Sequence, residues 1–274
     1  MKAGWTLDDI EWDRFDASKV DPEVVKLVKA GALVEHNGAD YTDYLCNVFS
    51  DDPGFQALAR KWGVEEVQHG QALARWAQTV DPEFDFDAAF TRFLDGFRPD
   101  VDATESIRGS RSGELVARCI VETGTSSFYS AIAESTEEPV LRQICRAIAA
   151  DEFRHYKLFY DALRRYLEIE GLGRIGRLKI AIGRINETED DELSYAYYAA
   201  NLFGREDYDR ERCHQLYMAP VYRNYRRQHM EKAVAMIAKA SGIRLYEPVR
   251  RTVAAVMLNR IHRQADKFEG ARAA

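Results

Sequence analysis

Two Glu-x-x-His motifs, each preceded by a solitary glutamate at almost the same distance, constrain this chain more than any other feature. The motifs are Glu66-Val67-Gln68-His69 and Glu152-Phe153-Arg154-His155; Glu35 stands 31 residues before Glu66, and Glu122 stands 30 before Glu152. Positions three apart on a helix share a face. One such motif arises easily by chance in a Glu-rich chain, whereas the doubled spacing has a geometric meaning. In an antiparallel helix pair, a residue roughly 14 positions before the turn lies level with one roughly 14 after it, about 20 Å from the bend at 1.5 Å per residue. Each lone glutamate therefore faces its own Glu-x-x-His. Joining the two hairpins brings four carboxylates and two imidazoles to one height.

Core-facing glutamates without a partner would each cost several kcal/mol. Cations remove that cost, so Glu35, Glu66, His69, Glu122, Glu152 and His155 are the expected metal ligands. One Glu from each of two helices and Glu-x-x-His from the other two is the donor set of ferritin-like di-iron and di-manganese bundles. Hard oxygen donors with one imidazole per metal suit iron or manganese better than zinc or copper. The expected cofactor is two Fe ions, with Mn as the alternative.

The surrounding sequence supplies the helices this requires. Asp21-Pro22-Glu23 sets an N-cap, an N1 proline and a first-turn acid in order, and the apolar pattern predicts a helix to about residue 48. Asp52-Pro53 opens a second over about 54–78, closed by Asp81-Pro82. A turn-rich connection over 81–112, with one short helix, leads to helices at about 113–135 and 140–168, and Gly171-Leu172-Gly173 is a helix stop. Beyond it a short segment and a polar stretch at Asn186–Glu192 precede helical stretches near 192–203, 208–240 and 247–269. The expected fold is all-α: one ferritin-like domain over 1–274, with a core four-helix bundle at about 22–169 and a helical extension at about 171–274.

Composition agrees, with 46% apolar and 30% charged residues and only 7 prolines, as suits a helical globular protein. No run approaches the ~20 apolar residues that span a bilayer, and the first 21 residues lack an apolar signal core. A cytoplasmic location is expected. Cys46, Cys119, Cys145 and Cys213 are isolated, which predicts free thiols. Residues 1–170 carry 19 basic and 32 acidic side chains against 19 and 13 in 171–274, or −13 against +6. The basic C-terminal third fits either an acidic partner or a solvated helix surface.

Three passages resemble the soluble acyl-acyl-carrier-protein desaturases, over about residues 30–165. Glu65-Glu66-Val67-Gln68-His69-Gly70 is similar to that family's E-E-x-x-H-G, and Glu122-Thr123-Gly124-Thr125 to its E-x-x-T. Ile144-Cys145-Arg146-Ala147-Ile148-Ala149-Ala150-Asp151-Glu152-Phe153-Arg154-His155 follows its I-C-x-x-I-A-A-D-E-x-R-H. The resemblance implies Glu35 and Glu122 as terminal chelating ligands, Glu66 and Glu152 as bridging ligands, and His69 and His155 as one nitrogen ligand each. It gives Thr125 a part in oxygen activation, the alternative being a hydroxyl bonded back to its own helix. It has Asp151 orient His69. An N-oxygenase relative would carry a histidine where Ile148 stands.

The implied activity is O2-dependent di-iron oxidation, by desaturation or hydroxylation, of an acyl or aliphatic substrate carried on acyl carrier protein. A ferredoxin-like electron donor and a homodimer are implied with it; nucleic acid is not an expected partner. Two alternatives stand beside this: a ferroxidase or peroxide scavenger of ferritin or rubrerythrin type, and a hydroxylase of a non-lipid substrate such as a modified tRNA base, using Arg223, Arg226 and Arg227. Ala39, Thr42, Cys46, Cys119, Ser126, Tyr129 and Ala133 fall on ligand-bearing faces and fit either a substrate tunnel or packed core. Trp62 fits an electron carrier or a packed side chain. His36, His214, His229 and His262 lack ligand-spaced partners and are expected to be surface or structural.

Overall fold

Proline and short polar caps start the helices that matter for the site. Asp21 accepts from the Glu23 amide ahead of α1 (Pro22–His36), and Asp52 from Phe55 ahead of α3 (Pro53–Val80). Ser110 accepts from Gly113 ahead of α5 (Arg111–Ser135). Glu138 caps α6 (Pro139–Glu170) through the amides of Val140 and Leu141. Each proline at the first turn has no amide to leave unsatisfied. Gly171, at φ +70°, ends α6 in the left-handed conformation that glycine adopts without steric cost.

The structure, a computed structural model, describes residues 4–187 and 191–273. Between the main helices lie α2 (Gly38–Val48) and α4 (Phe86–Gly96). The extension adds α7 (Arg174–Glu187), α8 (Asp191–Asn201), α9 (Arg210–Asn224), α10 (Arg227–Ala240) and α11 (Glu247–Ala273). Among the described residues, three 3-10 turns precede α1. The fold is all-α, with no strand among the described residues. The polar stretch expected at Asn186–Glu192 falls partly on 188–190, outside the described residues.

Helices α1, α3, α5 and α6 form the four-helix bundle, with α5 against α6, α1 against α3, and α3 crossing to α6. A Cβ placed on Gly70 would meet the His36 backbone at 2.6 Å, and one on Gly38 would meet the Glu66 Cβ at 2.3 Å. The α1–α2 rod thus runs antiparallel to α3 at a separation that only glycine permits. That contact brings Glu35 down onto the Glu66–His69 face.

Two expectations about helix continuity are corrected. The helix expected over 24–48 is interrupted at Asn37 (φ −72°, ψ 1°), beside Gly38 where α3 comes closest. The stretch expected over 208–240 divides at Tyr225 and Arg226, both extended, where His229 Nδ1 accepts from the Arg226 amide and starts α10. Short polar residues and local caps compete with the helix ladder, and apolar periodicity does not record them.

The extension packs on the bundle: α8 lies on α1, α7 and α10 lie on α5, and α9 joins α8 to α11. Tyr197, Tyr217 and Tyr222 share one apolar cluster with Leu27, Leu73 and Ile144. The N-terminal segment closes the opposite side, where Trp5 is buried and the Gln68 amide donates to its carbonyl at 2.9 Å. All four cysteines are free and buried. No described helix is long and apolar enough to cross a membrane.

Candidate metal centre

Glu35 reaches the bundle axis from α1, Glu66 and His69 from α3, Glu122 from α5, and Glu152 and His155 from α6, all buried. They form two overlapping groups, Glu35, Glu66, His69 and Glu152 on one side and Glu66, Glu122, Glu152 and His155 on the other. In each group the donor atoms lie within 4.8 Å of one another. Glu66 and Glu152 belong to both.

The donor atoms converge without satisfying one another. His69 Nδ1 lies 3.2 Å from Glu152, 3.4 Å from Glu35 and 3.9 Å from Glu66. His155 Nδ1 lies 2.9 Å from Glu66, 3.6 Å from Glu122 and 3.9 Å from Glu152. Yet Glu35 Oε2, Glu66 Oε1, His69 Nδ1, Glu122 Oε2, Glu152 Oε1 and His155 Nδ1 each lack a hydrogen-bond partner. Buried polar atoms are rarely left unpaired, and here one orphan comes from each of the six residues and points inward. Four carboxylates with two neutral imidazoles carry four negative charges, which two divalent cations balance. The residues present therefore fit a pair of metal ions.

Electrostatics express the same strain. Burial, then the charges of Glu152 and Glu35, hold the Glu66 carboxyl well above the ordinary range, and burial with Glu152 pushes Glu122 up to about 8. Burial opposes ionisation of Glu152 too, but the close approach of the His69 ring and the charge of His155 hold it at about 2. Burial disfavours both imidazolium ions, yet the carboxylates around His69 and His155 raise both rings well above their usual value.

A ring of partners outside the cluster fixes its geometry. His69 Nε2 faces Asp151 at 3.2 Å, and His155 Nε2 faces Glu65 at 2.7 Å. Each carboxylate acts as acceptor, so with a metal bound each ring would keep its proton on Nε2 and offer the Nδ1 lone pair inward. Arg154 bonds both carboxylates, and Trp5 Nε1 donates to Asp151 at 2.8 Å while its ring stacks on His69 at 6.1 Å. The Thr125 hydroxyl lies 2.5 Å from Glu152 Oε2 and 3.3 Å from the Val121 carbonyl, so its one proton goes to the carboxylate. Tyr129 donates to Glu35 at 2.7 Å.

The six expected ligands and both expected supporting residues, Thr125 and Asp151, come together. Glu65, Arg154 and Trp5 were not singled out as site residues. Glu65 had a signal, since it sits beside Glu66 as Asp151 sits beside Glu152. Trp5 had none, being 146 residues from its partner.

Ala39 is exposed and lines no interior face, because the interruption at Asn37 breaks the angular count from Glu35. Thr42, Cys46, Cys119, Ser126, Tyr129 and Ala133 are buried. Trp62 packs edge-on against His155 at 6.4 Å and Phe159 at 5.5 Å. His36 packs edge-on to Phe86 and Phe90, while His214 and His229 are buried rather than superficial.

The fold and site together define an all-α bundle with a buried Glu/His cluster compatible with a metal centre. The model of one protein family, described as fatty acid desaturase, matches residues 35–179, more than half of the 274. The chain belongs to the fatty acid desaturase family, which points to a desaturase- or hydroxylase-type oxidase acting on a lipid or acyl substrate. No curated protein matches the chain.

Proposed function

We propose that the chain is a di-iron oxidase that desaturates or hydroxylates an acyl chain in an O2-dependent reaction, most simply one carried on acyl carrier protein. The observation that carries this reading is the pair of overlapping donor groups sharing Glu66 and Glu152, within a chain of the desaturase family. Iron ions held there would reduce O2 with two externally supplied electrons and oxidise an unactivated carbon.

The protein's own residues do the positioning. Glu35 with His69 and Glu122 with His155 would hold one ion each, and Glu66 and Glu152, which belong to both donor groups, would serve both. Asp151 and Glu65 hold the imidazoles with Nδ1 inward, and Tyr129 and Thr125 hold the Glu35 and Glu152 carboxylates by hydroxyl donation. Trp62, Phe159 and Trp5 wall the cluster from water. A ferredoxin-like donor, a homodimer and a single ferritin-like domain belong to the same proposal.

The test is anaerobic reduction of the iron-loaded protein, then exposure to O2 with and without a long-chain acyl carrier protein. The reading expects O2 consumption coupled to acyl oxidation, seen by mass as loss of two hydrogens or gain of one oxygen. Substrate-independent O2 consumption with storage of hundreds of irons per assembly rejects it.

A further inference from the structure

The outer face of α11 carries a seam that none of the described residues covers. Tyr246, Val249, Val253, Val256, Arg260, Arg263 and Lys267 follow one another at intervals of three and four residues and are all exposed. The apolar members are 73%, 47%, 37% and 63% exposed in that order. The helix packs inward through Ala254, Met257, Leu258, Ile261 and Ala265. At 100° per residue the seam lies roughly a third of a turn from that packing face. Alternation of three and four is the spacing by which one helix receives another's side chains.

Charge along the seam is one-sided. Its first half is apolar; its second half bears three cations and no acid. None of Arg260, Arg263 and Lys267 pairs with a carboxylate among the described residues. A shallow groove runs beside Val256, Arg260, Arg263 and Lys267.

We propose that this face docks an acidic amphipathic helix of another protein, its apolar half on the valines and its carboxylates on the arginines and lysine. Parallel pairing with a second copy of α11 would set cation against cation; antiparallel pairing would lay every cation on bare valine. A membrane surface takes up a broad apolar face, whereas this seam is one side-chain row wide, flanked by Thr252, Asn259 and Asp266. Three of the cations behind the positive balance of residues 171–274 thus lie on this seam.

The probe is a labelled 21-residue helical peptide with Leu at the seam positions of one half and Glu at those of the other, titrated against the full-length chain by fluorescence anisotropy. Its twin carries Lys in place of Glu. The Glu peptide is expected to bind at least tenfold more tightly than the Lys peptide, more weakly at higher salt. Arg260→Glu with Arg263→Glu should invert that preference, and because these side chains are exposed the inversion itself shows a folded protein. Equal affinity for the two peptides, or a preference unchanged by the double substitution, overturns the proposal. So does binding to phosphatidylglycerol vesicles that the Glu peptide does not compete away, or self-association abolished by Val253→Asp.

Discussion

Glu65 faces the outer nitrogen of His155 at 2.7 Å, across the boundary between α3 and α6, so each Glu-x-x-His motif supplies the acid that orients the other motif's imidazole. Asp151 does the same for His69. Despite burial, hydrogen bonding to the facing imidazole keeps both acids below the ordinary carboxyl range, hence anionic acceptors.

Replacing such an outer partner typically weakens metal binding by about 10–100-fold. Glu65→Gln should therefore weaken one class of Fe(II) or Co(II) site in anaerobic titration and spare the other, while Asp151→Asn weakens the second class. Equal effects on both sites would contradict the paired arrangement.

Glu122→Ala or His155→Ala removes a proposed donor outright and should bring metal content below two per chain. Elemental analysis against protein concentration checks this; unchanged stoichiometry refutes the ligand assignment.

Thr125 gives its proton to Glu152. Hydrogen bonds to charged groups contribute about 1.5–3 kcal/mol, so Thr125→Val should slow substrate-coupled O2 consumption by about tenfold or more. Metal content should stay near the parent's, with Thr125→Ser restoring most of the rate. Full activity in the valine variant would leave the hydroxyl without a role.

The metal-free protein should lose stability as pH rises. Glu122, buried beside Glu152, has its carboxyl raised to about 8, and Glu66 shifts in the same direction. A raised group holds more protons folded than unfolded, so its contribution is present below the unfolded carboxyl value of about 4.3 and is lost as pH rises toward 8. Glu152, lowered to about 2, acts oppositely, and its contribution is lost only as pH falls toward that value. The midpoint of thermal unfolding without metal should fall between about pH 5 and 8, and metal binding should flatten this slope and release protons. Metal uptake without proton release in an indicator assay would count against the cluster being protonated.

Gly70→Ala should act at a distance from the donors. Its methyl group would meet the His36 backbone at 2.6 Å, and overpacking of this kind costs about 1–3 kcal/mol. Urea denaturation should show that loss, with weaker binding at the Glu35–His69 side as α1 is pushed off α3.

The bundle and the convergence of the six side chains were legible in the sequence because both rest on local regularities. Caps and prolines mark where α1, α3 and α6 begin, and the spacings of 31 and 30 residues set the register of two hairpins. Thr125 and Asp151 were found through the motifs around the ligands. Glu65 was open to the same reasoning, since its place repeats that of Asp151.

Contacts between distant segments were not legible. Trp5 meets Asp151 across 146 residues, and Tyr129 finds Glu35 across 94; no periodicity encodes such meetings. The break at Asn37 likewise answers to the close approach of α3 at Gly38, and it turned Ala39 outward. By itself the sequence determined an all-α bundle and which six side chains share one height, because helical spacing is a property of the chain alone. Only the tertiary structure decided which atom each donor turns inward, which acid holds which imidazole, and which face of α11 stays open. Those follow from how the finished helices pack.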